Sequence, residues 1–155
     1  MAEEYKNSCL RSRLNNIPSD FLQLHFKTNV LASLGLGKTE LKLGFFYLGE
    51  YLNILDKSLS VVLVDDVLSA ELNQRYLHCL GPTNVLSFPG DGEFLGELFI
   101  NVAAVIRESF LYVQDRKEHF WRLTAHGVLH LLGYDHGYQM DTLTEELSHH
   151  LSQVF

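Results

Sequence analysis

Three histidines stand close enough in the chain to act on one ion or one substrate atom. They are His126, His130 and His136, inside Thr124-Ala125-His126-Gly127-Val128-Leu129-His130-Leu131-Leu132-Gly133-Tyr134-Asp135-His136. His126 and His130 are four apart in a run that reads as helix, so both imidazoles leave the same face about one turn apart. Gly133 stops that helix, because glycine enters the left-handed C-terminal conformation without a Cβ clash. The chain can then fold back and bring His136 toward the other two. Three neutral imidazoles form a protein ligand set for one Zn2+, with a fourth position left for water, which is the pattern of a catalytic rather than a closed structural site. Binding lowers the pKa of that water to about 7 and the ion polarises a phosphoryl oxygen, so phosphodiester hydrolysis is physically reasonable.

Other residues compete for roles. Asp135 either orients a ligand histidine through its second ring nitrogen or shapes the turn after Gly133. A zinc peptidase would carry a glutamate directly after its first histidine; that position is Gly127, and Glu97 is the best distant candidate to replace it, its commoner role being that of a polar strand residue. Seven residues at about 1.5 Å each separate His119 from His126, too far to share the ion. His25 reads as a solvated strand residue, His78 as a helix-end residue, and His149 and His150 as surface. Asp65 and Asp66 end an apolar run; such a pair could hold a metal, but Asp66 is expected instead to cap the following helix.

The segment from His126 to His136 resembles the motif H-G-x-L-H-L-x-G-Y-D-H of the YbeY family of bacterial zinc-dependent endoribonucleases, with every specified position met. A second resemblance lies in Pro82-Thr83-Asn84-Val85-Leu86-Ser87-Phe88-Pro89, followed by Leu95-Gly96-Glu97-Leu98. Together they cover the region from Ser60 to Leu147, whereas the first fifty residues match only in element pattern. The resemblance implies a zincin-like fold and single-strand-specific RNA cleavage. It also implies a role in maturation of the ribosomal RNA 3′ end of the small ribosomal subunit and in ribosome quality control, with associated assembly proteins as further partners. Asn84 and Ser87 either line the cleft beside the metal or serve as structural hydrogen-bonding groups. The family usually has an arginine five residues before the first proline of the second motif; that position is Leu77, and Arg75, two residues earlier, points elsewhere on a helix. The acidic stretch after the third histidine is also short here, Gly137-Tyr138-Gln139-Met140. These departures keep open a second function, a non-catalytic zinc-stabilised protein on the ribosome, beside the peptidase.

The elements that must position these groups read from periodicity. Phe21 to Thr28 alternates as a half-buried strand, and Gly35-Leu36-Gly37 is a turn. Thr39 to Leu55 keeps helical spacing despite Gly44 and Gly49. Leu59 to Val64 is a nearly continuous apolar run, expected as a central strand. A helix follows over Val67 to His78, then strands at Asn84 to Phe88 and Gly96 to Val102 joined by a hairpin at Pro89-Gly90-Asp91-Gly92. Helices are expected at Ala103 to Val113, Arg116 to Leu132 and Gln139 to Gln153, the last with an apolar stripe of Met140, Leu143, Leu147 and Leu151. Crossover helices make the early strands parallel and the hairpin adds an antiparallel strand. The expected fold is α+β: a mixed four-stranded sheet packed with about five helices.

Length and composition agree with one domain over residues 1–155, with residues 1–20 as a loose arm. Hydrophobic residues make up 46% of the chain, yet no apolar run approaches the ~20 residues that span a bilayer. The start of the chain is acidic and lacks an apolar signal segment, and Cys9 and Cys79 suggest neither a disulfide framework nor a cysteine zinc site, so a cytoplasmic location is expected. The formal net charge of -7 argues against a generic nucleic-acid binder, because phosphate contacts need cations. Lys6, Arg11 and Arg13 form the one basic cluster near the start, and a bound divalent ion would add positive charge where a scissile phosphate sits.

Overall fold

The structure is a computed structural model and describes residues 12–155. Lys6, Cys9 and Arg11, and most of the expected loose arm, lie outside the described residues. Within the remainder of that arm, Ser12 to Leu14 are helical, and Ile17 packs against the core rather than hanging free.

A four-stranded sheet carries the molecule: β1 (Leu22–Lys27), β2 (Ser58–Val64), β3 (Val85–Pro89) and β4 (Phe94–Asn101), in the order β1-β2-β4-β3. β1 and β2 are parallel, β2 and β4 are parallel, and the β3–β4 hairpin is antiparallel. β2 is buried along nearly its whole length because both its edges are paired and its side chains are covered. The edge strand β1 alternates, with Leu22, Leu24 and Phe26 inward and Gln23, His25 and Lys27 exposed.

Beyond the short helical stretch at Ser12 to Leu14, five α-helices among the described residues pack around the sheet: α1 (Lys38–Tyr51), α2 (Asp66–Leu77), α3 (Val102–Leu111), α4 (Arg116–Leu131) and α5 (Tyr138–Val154). A short 3-10 turn at Leu31–Leu34 precedes α1. α1 ends earlier than the periodicity predicts, since Leu52 caps it and Asn53 takes a left-handed conformation. Its two glycines are sites of close approach: a Cβ on Gly44 would enter the Trp121 indole, and one on Gly49 would meet Phe21 and Leu55. Packing therefore offsets the helix-propensity cost of glycine.

The cap of α2 differs from expectation by one residue. Asp65 has the extended backbone of a cap and accepts from the Leu68 amide at 3.0 Å. Asp66 lies inside the first turn, where its carboxylate pairs with both terminal nitrogens of Arg107 and accepts from Asn101. Those hydrogen bonds, Arg107 first, hold the Asp66 carboxyl below its ordinary value. Its partners come from β4 and α3, which local sequence cannot reveal.

One face of the sheet builds the core. Leu59, Val61 and Leu63 of β2 and Leu98 and Ile100 of β4 pack with Phe45 and Leu48 of α1, Phe120 and Trp121 of α4, and Leu147 and Leu151 of α5. Burying each such side chain contributes about 1.5–3 kcal/mol. On the opposite face Tyr76 of α2 meets Phe88, which in turn meets Phe99. No helix among the described residues is long and apolar enough to cross a membrane.

Candidate metal centre

The three histidines converge. α4 starts where the Asp115 carboxylate accepts from the Glu118 amide, and it buries Phe120, Trp121, Thr124, Ala125, Val128 and Leu131. That leaves His126 and His130 on a half-buried face. The helix ends in a Schellman motif: the Gly133 amide donates to the His130 carbonyl and the Tyr134 amide to the Leu129 carbonyl, both at 3.0 Å. Gly133 has φ of 87°, a conformation that a Cβ would strain. The reversal carries the exposed His136 back over the end of α4.

The imidazole centroids of His126, His130 and His136 are 4.6, 5.3 and 4.7 Å apart in the pairs 126–130, 126–136 and 130–136. One nitrogen from each lies within 4.8 Å of the others. Zinc–nitrogen bonds of about 2.0–2.1 Å in a tetrahedron set neighbouring nitrogens about 3.4 Å apart. The 3.1 Å between the Nε2 atoms of His126 and His130 approaches that spacing, and a ring nitrogen of His136 lies within 4.8 Å of both. Burial, followed by the neighbouring His130 and His136, pushes the His126 pKa down, and Asp141 opposes this. A neutral imidazole is the form that ligates a metal. The donor set therefore fits one divalent ion.

Gly127 owes its identity to the sheet. A Cβ there would run into Leu98 of β4 and come within 3.1 Å of Val85 and 3.2 Å of Ser87 on β3. The position that holds the general base in the peptidase motif is thus pressed against strands. Ser87 donates to the Gly127 carbonyl at 3.0 Å, so its hydroxyl ties α4 to β3. Glu97 cannot stand in for the missing base: its neighbours Gly96 and Leu98 face α4, and strand alternation turns Glu97 to the other face, where Ser60 donates to it at 2.8 Å. Asp135 sits in the exposed loop beside His136, and no hydrogen bond among the described residues joins it to an imidazole.

The other histidines stay out of the cluster. His119 is buried and meets Glu108 at 2.7 Å. His78 closes α2 in a left-handed conformation, His25 is exposed on β1, and the exposed His150 stacks on Tyr47 while the exposed His149 meets Gln153. Leu77 and Arg75 both lie in the exposed last turn of α2, with the Arg75 guanidinium over Tyr76.

A cleft of about 310 Å³ opens beside His126, with Asn84, Leu123, Asp141 and Thr144 in its walls. Asn84 and His126 thus line the same cavity. Asp141 was not singled out from sequence; its only signal is an acid in the first turn of the helix after His136. Glu108, which holds Asn84, lies 24 residues away from it and carries no local signal.

A family model described as Endoribonuclease YbeY matches residues 38–153. A relative named Endoribonuclease YbeY from Oleidesulfovibrio alaskensis is 37% identical over 146 residues, covering 78% of this chain and 86% of its own. A second of that name from Lawsonia intracellularis is 44% identical over 107 residues, covering 63% of this chain and 80% of its own. The solution structure of a Thermotoga maritima protein shares the fold, with a TM-score of 0.66 at 22% identity over 86% of this chain and 90% of that one. The chain belongs to the YbeY endoribonuclease family.

Proposed function

We propose that this protein is a zinc-dependent endoribonuclease that cleaves single-stranded RNA, acting as one catalytic domain. The observation that carries the reading is the convergence of His126, His130 and His136, the last of them exposed. Zinc held by these three nitrogens would supply an activated water and a Lewis acid for the phosphoryl group. The half-buried His126 and His130 fix two ligand directions on one rigid helix, and the Schellman turn sets the third. Asp135, exposed beside His136, is available to orient a ligand ring once the ion draws the rings inward.

Family membership extends the proposal to ribosomal RNA, to maturation of the small-subunit RNA 3′ end, and to a cytoplasmic enzyme that meets the small ribosomal subunit and its assembly proteins. The acidic chain agrees with an enzyme positioned by a partner rather than by a broad basic surface. One observation favours a second reading, a zinc-stabilised ribosome-binding protein without turnover: Leu77, half exposed on α2, offers no phosphate contact where the family usually has arginine.

Zinc-loaded protein should cleave a short single-stranded RNA and leave an unstructured peptide intact, with RNA cleavage abolished in His126→Ala. Peptide cleavage that vanishes in the variant, with RNA intact, would identify a peptidase. Turnover of neither would favour the binding protein.

A further inference from the structure

The cleft beside His126 is not needed to hold a metal, yet it is built around polar groups fixed from behind. Asn84 points its Nδ2 at Glu108, donating to both carboxylate oxygens at 3.2 and 3.3 Å. A carboxylate can only accept here, so the amide has one orientation and Oδ1 is left as an acceptor. Glu108 is in turn held by His119 at 2.7 Å, and His119 is only 6% exposed. This three-residue chain, from α4 through α3 to the start of β3, explains a buried histidine that the metal does not use.

The remaining wall carries more acceptors than free donors, and its charge is net negative, with Asp141 and Glu145 against Arg122. Arg122 commits its guanidinium to Glu145, Glu118 and Gln114 through four hydrogen bonds. Asp141 and Glu145 add carboxylates, and Thr144 is 5% exposed with an Oγ1 that has no hydrogen-bond partner among the described residues. A phosphate entering this cleft would meet acceptors and net negative charge. An uncharged planar group with N–H donors would meet complementary partners, with the apolar Val85 and Leu123 against its faces. Ligand pockets span about 300–1,000 Å³, and a cleft of about 310 Å³ is at the small end, with room for a nucleobase.

We propose that this cleft is a nucleobase subsite that takes one unpaired base next to the scissile phosphodiester, and that it favours a base with an exocyclic amino group (cytosine, adenine or guanine) over uracil, whose one edge N–H is flanked by two carbonyl oxygens that would face the carboxylates of the wall. Asn84 Oδ1 accepts from that amino group, and Glu108 and His119 are positioning residues that hold the acceptor in place. The proposal rests on the nuclease reading above, since the scissile phosphate must sit at the three histidines for the neighbouring base to reach the cleft.

The test uses the full chain and short oligouridylates that carry a single cytidine at a defined position, read by the cleavage ladder with zinc and by fluorescence anisotropy without it. One hydrogen bond should favour cytidine over uridine by about two- to tenfold in cleavage of the adjacent bond and in metal-free binding. Asn84→Ala should bring that ratio toward one. Leu123→Trp, which fills the cleft, should weaken binding of all the oligonucleotides. Glu108→Gln should lower the ratio less than Asn84→Ala, because a glutamine retains one acceptor for the amide. Should Asn84→Ala fail to fold, the wild-type base ratio and the Leu123→Trp binding loss decide the matter. RNA cleavage with equal use of cytidine and uridine, and with Leu123→Trp binding as wild type does, would overturn the subsite and leave the nuclease standing. Absence of both cleavage and binding for every oligonucleotide would overturn the nuclease reading, and the subsite with it.

Discussion

Replacing Gly127 by alanine adds one methyl group at the point where α4 touches the sheet. In a free helix the change would stabilise by about 1 kcal/mol, because alanine is the better helix former. Here the new Cβ would run into Leu98, which is fully buried in β4, with Val85 and Ser87 close on either side. Overpacking of this kind costs about 1–3 kcal/mol, and a central strand has little freedom to yield, so the upper part of that range applies. The net loss is about 1–2 kcal/mol, a fall in Tm of about 2–8 °C for a chain of this size. Urea and thermal unfolding of the metal-free protein would measure it. In Gly127→Ala/Leu98→Ala the added methyl occupies the space that Leu98 vacates, so the double variant should be more stable than the sum of the single effects by at least about 0.5 kcal/mol. Moving α4 off the sheet also shifts His126 and His130, so zinc affinity should fall in the single variant and recover in the double. A Gly127→Ala protein as stable as wild type, or more so, would refute the close approach of α4 to β4 as the reason for glycine here.

Other outcomes follow from named contacts. His119→Ala should destabilise by about 1–3 kcal/mol by leaving Glu108 without its buried partner, yet zinc content by elemental analysis should match wild type. Asp65→Ala should cost about 1 kcal/mol through the lost cap of α2. Asp66 behaves differently: its folded pKa lies below the ordinary 3.8, so its contribution is complete above that value and is lost as pH falls through the lower folded value. Acid unfolding curves of Asp66→Asn should lack that loss. Leu77→Arg should fold normally, since Leu77 is 51% exposed, and should raise single-turnover RNA cleavage if this position meets phosphate as the family's arginine does. If instead Arg75→Ala abolishes activity and Leu77→Arg changes nothing, Arg75 holds that role.

Features that depend on one segment of chain were legible in the sequence. The alternation of Leu22, Leu24 and Phe26 marked the edge strand, the unbroken run through Val61 and Val62 the central one, and the hairpin at Pro89 to Gly92 the antiparallel pair. His126, His130 and Gly133 form a local pattern of helix face and stop, so their convergence with His136 could be anticipated. Legibility failed where partners are distant. Asp65 and Asp66 are equally good caps by type, and only the placement of Arg107 and Asn101 separates them. Glu97 could be assigned to a face only through the β4 register against α4 and Ser60. The link from His119 through Glu108 to Asn84 joins α4, α3 and the start of β3, and no periodicity in any one of them announces it.

Everything proposed for this chain depends on His126, His130 and His136 acting as one metal site. Elemental analysis of extensively desalted protein, wild type beside His130→Ala, addresses that point without relying on turnover. One zinc per chain is expected in the wild type and a sharp loss in the variant, because two imidazoles do not retain the ion as three do. Equal metal content in two folded proteins would show that the three histidines do not form a shared site.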